Sequence, residues 1–155
     1  MLIRPAHPSD AEALLALEQS AAAAAHWTAA EYRRLFEAGG PQRLALVAER
    51  DGAVTGFIVA RTVSGECEIE NVVVREEDRR HGIGSALLWT ALEYVRAEGR
   101  GRVFLEVRES NVPAQRLYAA AGFRQAGRRK GYYHDPEEDG LILECSAPGA
   151  ARKSD

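Results

Sequence analysis

Three consecutive valines, Val72–Val74, stand a few residues ahead of Arg79-Arg80-His81-Gly82-Ile83-Gly84-Ser85, and that segment runs straight into a stretch with helical periodicity. A strand, a glycine-punctuated turn and an amphipathic helix in succession point to a layered α/β fold. The same layout makes an anion cradle. Gly82 and Gly84 carry no Cβ, so the backbone can approach a ligand closely. The first N–H groups of the following helix lack intrahelical partners. Such helix ends hold phosphate through those donors and the positive end of the helix dipole, and Arg79 and Arg80 add full charges beside them. A tight strand-to-helix turn that binds nothing uses the same glycines, and residues 79–84 alone do not separate the two readings.

At 155 residues the chain is long enough to bury a core and short for two, so a single domain with one active site is expected. Its 20 basic and 23 acidic residues leave a net charge of −3, which suggests no overall electrostatic grip on nucleic acid or an anionic membrane. No apolar run approaches the roughly 20 residues of a membrane span, and residues 1–10 lack the basic start and apolar centre of a signal peptide. A cytoplasmic protein is the expectation. Cys67 and Cys145 lie far apart, without a C-x-x-C pattern or a histidine-rich neighbourhood. Both read as reduced, small apolar strand residues rather than as a zinc site or a disulfide framework.

Residues 2–6 read as a short edge strand, and Ser9 or Asp10 can cap a helix with Ala11, Leu14, Leu15 and Leu17 on one side. The alanines from Ala21 to Ala25 extend that helix, alanine being the best helix former, until His26-Trp27-Thr28 breaks it. Thr28 and Glu31 match the capping box of a second helix, which carries Tyr32, Leu35 and Phe36 on its apolar face and stops at Gly39-Gly40-Pro41. Residues 43–49 and 53–62 flank Asp51-Gly52, a hairpin signal, and a third strand follows at about 66–74. The helix after the glycine turn repeats Ile83, Leu87, Ala91, Tyr94 and Val95 and ends at Gly99. Residues 102–107 form another strand, Asn111 begins a helix with Ala114, Leu117, Tyr118 and Ala121, and closing strands span about 123–129 and 140–146. Residues 147–155 read as a disordered tail beyond a domain of residues 1–146. The order β-α-α-β-β-β-α-β-α-β-β indicates a mixed α/β sheet with helices on both faces. A Rossmann unit fits poorly, because G-x-G-x-x-G is absent and three antiparallel-looking strands precede the glycine turn.

Three features then coincide: Val72-Val73-Val74, the R-x-x-G-x-G pattern of residues 79–84, and the block LEVRESNVPAQRLYAAAGF at residues 105–123. Together they resemble the GCN5-related N-acetyltransferase (GNAT) superfamily. The second block is most similar to the bacterial RimI-type enzymes, which acetylate the N-terminal alanine of a small-subunit ribosomal protein. The resemblance runs weakly from Leu2 to about Glu144, and Tyr132-Tyr133 after the basic stretch of RRKGYY are also typical of N-terminal acetyltransferases. It implies a mostly antiparallel central sheet with splayed central strands, acetyl-CoA as donor and an amine as acceptor.

The resemblance also distributes roles. Val72, Val73 and Val74 would offer backbone groups to the pantetheine amides as an added strand does. A backbone N–H there would polarise the thioester carbonyl, a contribution on the order of 3 kcal/mol where water is excluded. Arg79, Arg80, His81, Gly82, Ile83, Gly84 and Ser85 would cradle the pyrophosphate. An attacking α-amine, with an unperturbed pKa of about 7.7 to 8, is mostly protonated at neutral pH and needs a base. The family pattern puts Glu106 in that role and gives Tyr118 the proton for the leaving thiolate. Judged without the family, Glu106 is a strand glutamate paired with an arginine such as Arg108, and Tyr118 is a core aromatic. Asn111 is a coenzyme contact in the family and a helix cap by position.

Glu68 and Glu70 share a strand face with Val72 and Val74. Glu68 corresponds to the base of lysine-directed relatives, so Glu106 favours an α-amine acceptor and Glu68 a lysine; Glu70 reads as solvated. Trp27, between the first two helices, and Tyr132-Tyr133, in the last loop, are candidates to flank a peptide N-terminus. Asp135, Glu137, Glu138 and Asp139 could attract a basic ribosomal tail. The alanines before His26 depart from the phenylalanine-proline approach expected there, which leaves the acceptor open. Attack is expected to be direct, in a ternary complex, without metal or covalent enzyme intermediate, since neither cysteine has a histidine motif nearby. The rivals are a lysine or small-molecule amine acceptor and, in another class, a non-catalytic acyl-CoA-binding sensor, against which Glu106 and Tyr118 argue.

Overall fold

The computed structural model describes residues 1–21, 27–40, 42–99 and 101–146. Its elements are β1 (Leu2–Pro5), α1 (Ala11–Ser20), α2 (Ala29–Arg34), β2 (Arg43–Arg50), β3 (Ala53–Val63), β4 (Glu66–Val74), α3 (Ile83–Ala97), β5 (Arg102–Arg108), α4 (Val112–Ala120), β6 (Arg124–Tyr133) and β7 (Glu138–Ser146). The strands form a seven-stranded sheet in the order β1-β2-β3-β4-β5-β7-β6. Its β1–β2, β2–β3, β5–β7 and β6–β7 ladders are antiparallel. The β4–β5 ladder is parallel, with the register Cys67–Val103 and Glu68–Phe104. This is the mixed sheet with flanking helices that the element order implied, and its mostly antiparallel pairing is what the family resemblance implied. Among the described residues no helix is long and apolar enough to cross a membrane.

The chain forms two compact units, one of Met1–Thr62 with Ile69–Ala91 and another of Val63–Glu68 with the described residues from Leu92 onward. In the first unit, Asp51 and Gly52 both take positive φ, 53° and 77°, as a tight primed hairpin turn between β2 and β3 requires. The β4 side chains alternate, with Cys67, Ile69, Asn71 and Val73 buried between half-buried Glu68, Glu70, Val72 and Val74. Leu14, Leu17, Tyr32, Val47, Phe57, Val59 and Val73 pack into one core. Gly56 of β3 is required there by space. A Cβ on it would lie 2.9 Å from the Val73 carbonyl oxygen and 3.3 Å from Ile83 Cγ2.

Several local expectations change in this unit. Asp10 does not cap α1; its carboxylate accepts hydrogen bonds from the Arg4 guanidinium and the His7 N–H. The His7 ring instead accepts from Ser9 N–H and caps a short 3-10 turn over Pro8–Asp10. The helix α1 ends at Ser20, with Ala21 already extended at φ −109° and ψ 111°, and Ala22–His26 lie outside the described residues. The Thr28–Glu31 capping box is present, but α2 closes at Arg34, well before Gly39.

In the second unit Val103, Leu105 and Val107 of β5, Leu141 and Leu143 of β7, Tyr118 of α4, and Phe123 are buried, as are Leu92 and Val95 of α3. The strand β6 runs further than expected, so Tyr132 and Tyr133 end a strand rather than sit in a loop. It reaches them through an irregularity. Arg129 pairs with Gly140 and Tyr133 with Glu138, so β6 carries extra residues between the two pairs. Gly131 turns within that bulge at φ 60° and donates its N–H to Asp139 Oδ1 at 2.9 Å. Cys67 and Cys145 are free thiols, and residues 147–155, read as a tail, lie outside the described residues.

Candidate functional site

In the first unit β4 hands the chain to a short 3-10 turn, Glu76–Asp78, pinned by the Arg75 guanidinium on the Asp78 carboxylate. Arg79 then folds back and donates from Nε to the Val74 carbonyl at 3.1 Å, tying the end of the valine strand to the start of the turn. Arg80 and Gly82 both adopt left-handed backbone, φ 66° and 78°, and this pair swings the chain into α3. The Gly82 carbonyl accepts the first helical hydrogen bond, from Ala86 N–H at 3.0 Å. Gly82 is thus the residue at the helix cap, and it has no side chain with which to satisfy the N–H groups of Ile83, Gly84 and Ser85. The segment just before those donors in the chain carries the Arg79 and Arg80 charges. A Cβ on Gly82 would meet nothing within 4 Å, so within the chain this glycine is required by its backbone angle. Ile83 and Leu87 are buried and anchor the helix beneath its exposed start. His81 is exposed at the surface of the turn.

Trp27 also belongs to the first unit, where it packs on Tyr32 with ring centroids 5.2 Å apart under the Arg43 guanidinium at 5.1 Å. Glu70, expected to be solvated, is held by Arg43 at 2.8 Å and Arg61 at 3.6 Å. Its part is a structural ion pair.

The second unit gathers the candidate chemistry. Glu106 projects from the half-buried face of β5 and pairs with Arg129 Nε at 2.8 Å, not with Arg108. The register explains the reach. Glu106 and Gly127 both stand opposite Ile142 of β7, and Arg129, two positions along β6, reaches back from there to the carboxylate. The Arg129 guanidinium also lies over the Tyr132 ring at 5.3 Å, and Arg108 lies over Tyr133 at 4.3 Å. The two tyrosines meet edge to face at 5.1 Å. Gly140 makes room for them, since a Cβ there would lie 3.2 Å from Tyr133 and 3.3 Å from Tyr132. The Glu106 charge, then burial, raises the Tyr132 pKa, with smaller contributions from a hydrogen bond to Glu106 and from the charge of Glu68. Both carboxylates offered as rival bases therefore act on one phenol. Burial first, then Glu106, raises Tyr133.

Asn111 is the cap of α4, its Oδ1 accepting from Ala114 N–H at 3.2 Å, which leaves the amide nitrogen as a separate donor group. Tyr118 is buried in α4 against Phe123, centroids 5.6 Å apart, and burial raises its pKa. Of the acidic residues at the β6–β7 turn, Glu138 accepts from Arg108 and Ser110, and Asp139 from Arg128 and Gly131. Those two are fixed within the unit rather than displayed as a solvated acidic patch. Arg129 and the glycines around it escaped sequence reasoning. The basic run of RRKGYY held the signal, but its partner, Glu106, comes from another strand.

Residues 11–123 match the acetyltransferase (GNAT) family. A Bacillus subtilis (strain 168) protein, provisionally named a ribosomal protein bS18 alanine N-acetyltransferase, is 38% identical over 112 residues, covering 72% of this chain and 73% of its own length. An N-alpha-acetyltransferase of Sulfurisphaera tokodaii is 35% identical over 109 residues, covering 62% of this chain and 65% of its own. Among solved structures, the ribosomal-protein-S18-alanine N-acetyltransferase from Escherichia coli superposes with a TM-score of 0.82 at 27% identity, over 94% of this chain and 93% of that one. With the family matched across most of its length, the chain belongs to the acetyltransferase (GNAT) family and is an acetyl-CoA-dependent N-acetyltransferase.

Proposed function

We propose that the chain acetylates the α-amine of a protein N-terminus, and that an N-terminal alanine of a ribosomal protein is its acceptor, as the names of its relatives suggest. The observation that carries the reading is Glu106, a carboxylate held 2.8 Å from Arg129 beside two tyrosines on β6. Acetyl-CoA, when bound, supplies the acetyl group as a reactive thioester. Ile83, Gly84 and Ser85 would offer backbone N–H groups to its pyrophosphate, with Arg79, Arg80 and His81 alongside. Val72, Val73 and Val74 would offer backbone groups to its pantetheine arm, and Asn111 its amide nitrogen. Glu106 takes the proton that the acceptor ammonium must lose before its lone pair can attack. Burial keeps the Tyr118 phenol protonated, so it serves the departing sulfur as a hydrogen-bond and proton donor. Trp27, Tyr132 and Tyr133 are the aromatic contacts for the acceptor segment.

The test is acetyl transfer, read by mass spectrometry, to an alanine-initial peptide, an N-terminally blocked lysine peptide and a polyamine. Glu106→Gln is expected to lower kcat on the alanine peptide about 10²- to 10³-fold while acetyl-CoA affinity stays within about twofold. Preferential transfer to the lysine peptide, abolished by Glu68→Gln instead, would overturn the α-amine reading.

A further inference from the structure

We propose that Arg129 is a specificity-determining gate on Glu106, its guanidinium holding the carboxylate until a cationic acceptor amine takes its place. This rests on the reading of Glu106 as the group that meets the acceptor. The ion pair itself is the first support. At 2.8 Å, Arg129 Nε engages Glu106 Oε1 with a charge of the sign and hydrogen-bonding character that an acceptor ammonium would bring. An approaching amine and Arg129 compete for one carboxylate.

The second support is asymmetry. The Arg129 side chain is 54% exposed and that of Glu106 16% exposed. The cation can withdraw into water, because more than half of its side chain is already exposed. The carboxylate cannot. It stays on the half-buried face of β5 beside Tyr132, whose phenol also senses the charge of Glu68. The third support is the neighbouring arginines. Arg108 is tied to Glu138 and stacked on Tyr133, and Arg128 is tied to Glu109 and Asp139. Each has partners outside the candidate chemistry, whereas Arg129 is set on the candidate base.

The exchange conserves charge, one monocation leaving Glu106 as another arrives. The ammonium then passes its proton to the carboxylate, and its lone pair is free to attack. A blocked or uncharged N-terminus cannot displace the guanidinium. The gate thereby selects acceptors that arrive as cations.

Calorimetry on the full chain tests this with an alanine-initial hexapeptide bearing a free N-terminus and with its N-acetylated counterpart. Arg129→Ala is expected to bind the free-amine peptide about two- to fivefold more tightly than wild type, with the acetylated peptide unchanged. Arg129→Lys should restore wild-type affinity, and the gain should vanish when Glu106→Gln is added. In steady-state assays KM for the free-amine peptide should fall while kcat stays within about twofold. Equal or weaker binding by Arg129→Ala, a gain shared by the acetylated peptide, or no binding by either protein overturns the gate. A Glu106-dependent gain without acetyl transfer would sink the proposed reaction and leave the gate standing. Transfer without the gain would do the reverse.

Discussion

Glu18 shows how much of the molecule rests on a single residue. It is 2% exposed on α1, yet its Oε1 accepts from the Tyr32 hydroxyl at 2.6 Å and the Asn71 amide at 3.0 Å. The Asn71 amide also reaches the Tyr32 hydroxyl at 3.1 Å, closing a triangle that links α1, α2 and the residue before the valine strand segment. Burial, helped by Glu18, raises the Tyr32 pKa. A buried polar network is costly to leave half satisfied. Glu18→Ala is therefore expected to lose about 3 kcal/mol in urea unfolding at neutral pH, since it strands two buried donors. Glu18→Gln keeps an acceptor oxygen and should lose markedly less. Equal losses for both would show that packing rather than the shared oxygen holds the triangle. Helical periodicity could not find this residue, because it grades positions by apolarity and a glutamate always reads as outward. Its partners are 14 and 53 positions away.

Among the elements, two glycines near the proposed coenzyme cradle are needed for different reasons, and substitution separates them. Gly56 of β3 faces the Val73 carbonyl at 2.9 Å from a notional Cβ, so any side chain pushes β3 off β4 and α3. Gly56→Ala should cost about 1 to 3 kcal/mol and a larger side chain more. Gly82 has open space but φ 78°, so Gly82→Ala should cost about 1 to 2 kcal/mol, and Gly82→Asn, which tolerates the left-handed region, distinctly less. Urea unfolding of Gly56→Ala, Gly56→Asn, Gly82→Ala and Gly82→Asn decides it: if asparagine is worse than alanine at both sites, space and not backbone angle governs the cradle.

The contrast also marks what the sequence could disclose. The Asp51-Gly52 hairpin, the Thr28–Glu31 box, the bounds of β4 and the start of α3 are set by neighbours in the chain, and each was legible. The bulge in β6 depends on Gly131 meeting Asp139, and the pairing of Glu106 on a register through Ile142. Both require knowing which strands adjoin, so the arginine partner and the strand placement of Tyr132 and Tyr133 were not legible.

Over the whole molecule, the ionisable groups fix a pH window for stability. On the acid side the Arg4 guanidinium holds Asp10 low, as the Gly131 N–H does for Asp139 and the Ser110 N–H for Glu138. A carboxyl group depressed by folding stabilises the native state above its unfolded pKa, near 4, and that contribution is lost as pH falls through the lower folded value. On the alkaline side burial pushes the Cys145 thiol up to about 11 and raises Tyr32, Tyr118 and Tyr133, while Glu106 raises Tyr132. These groups hold their protons in the fold and release them more readily when unfolded. Their contribution is complete below the unfolded values, about 8.5 for Cys and 10 for Tyr, and is lost as pH climbs from there. Urea midpoints are expected to be level between about pH 5 and 8, to drop below about pH 4, and to drop again above about pH 9. The two limbs have separate causes and should respond to separate substitutions. Asp139→Asn should shallow the acid limb alone, and Tyr118→Phe, which removes a buried phenol, the alkaline limb alone. Tyrosinate absorbance provides the independent check, because Tyr118 should ionise together with unfolding rather than before it. Native protein in which all five tyrosines titrate near the free value would contradict the buried placement of Tyr118 on which its role as proton donor depends.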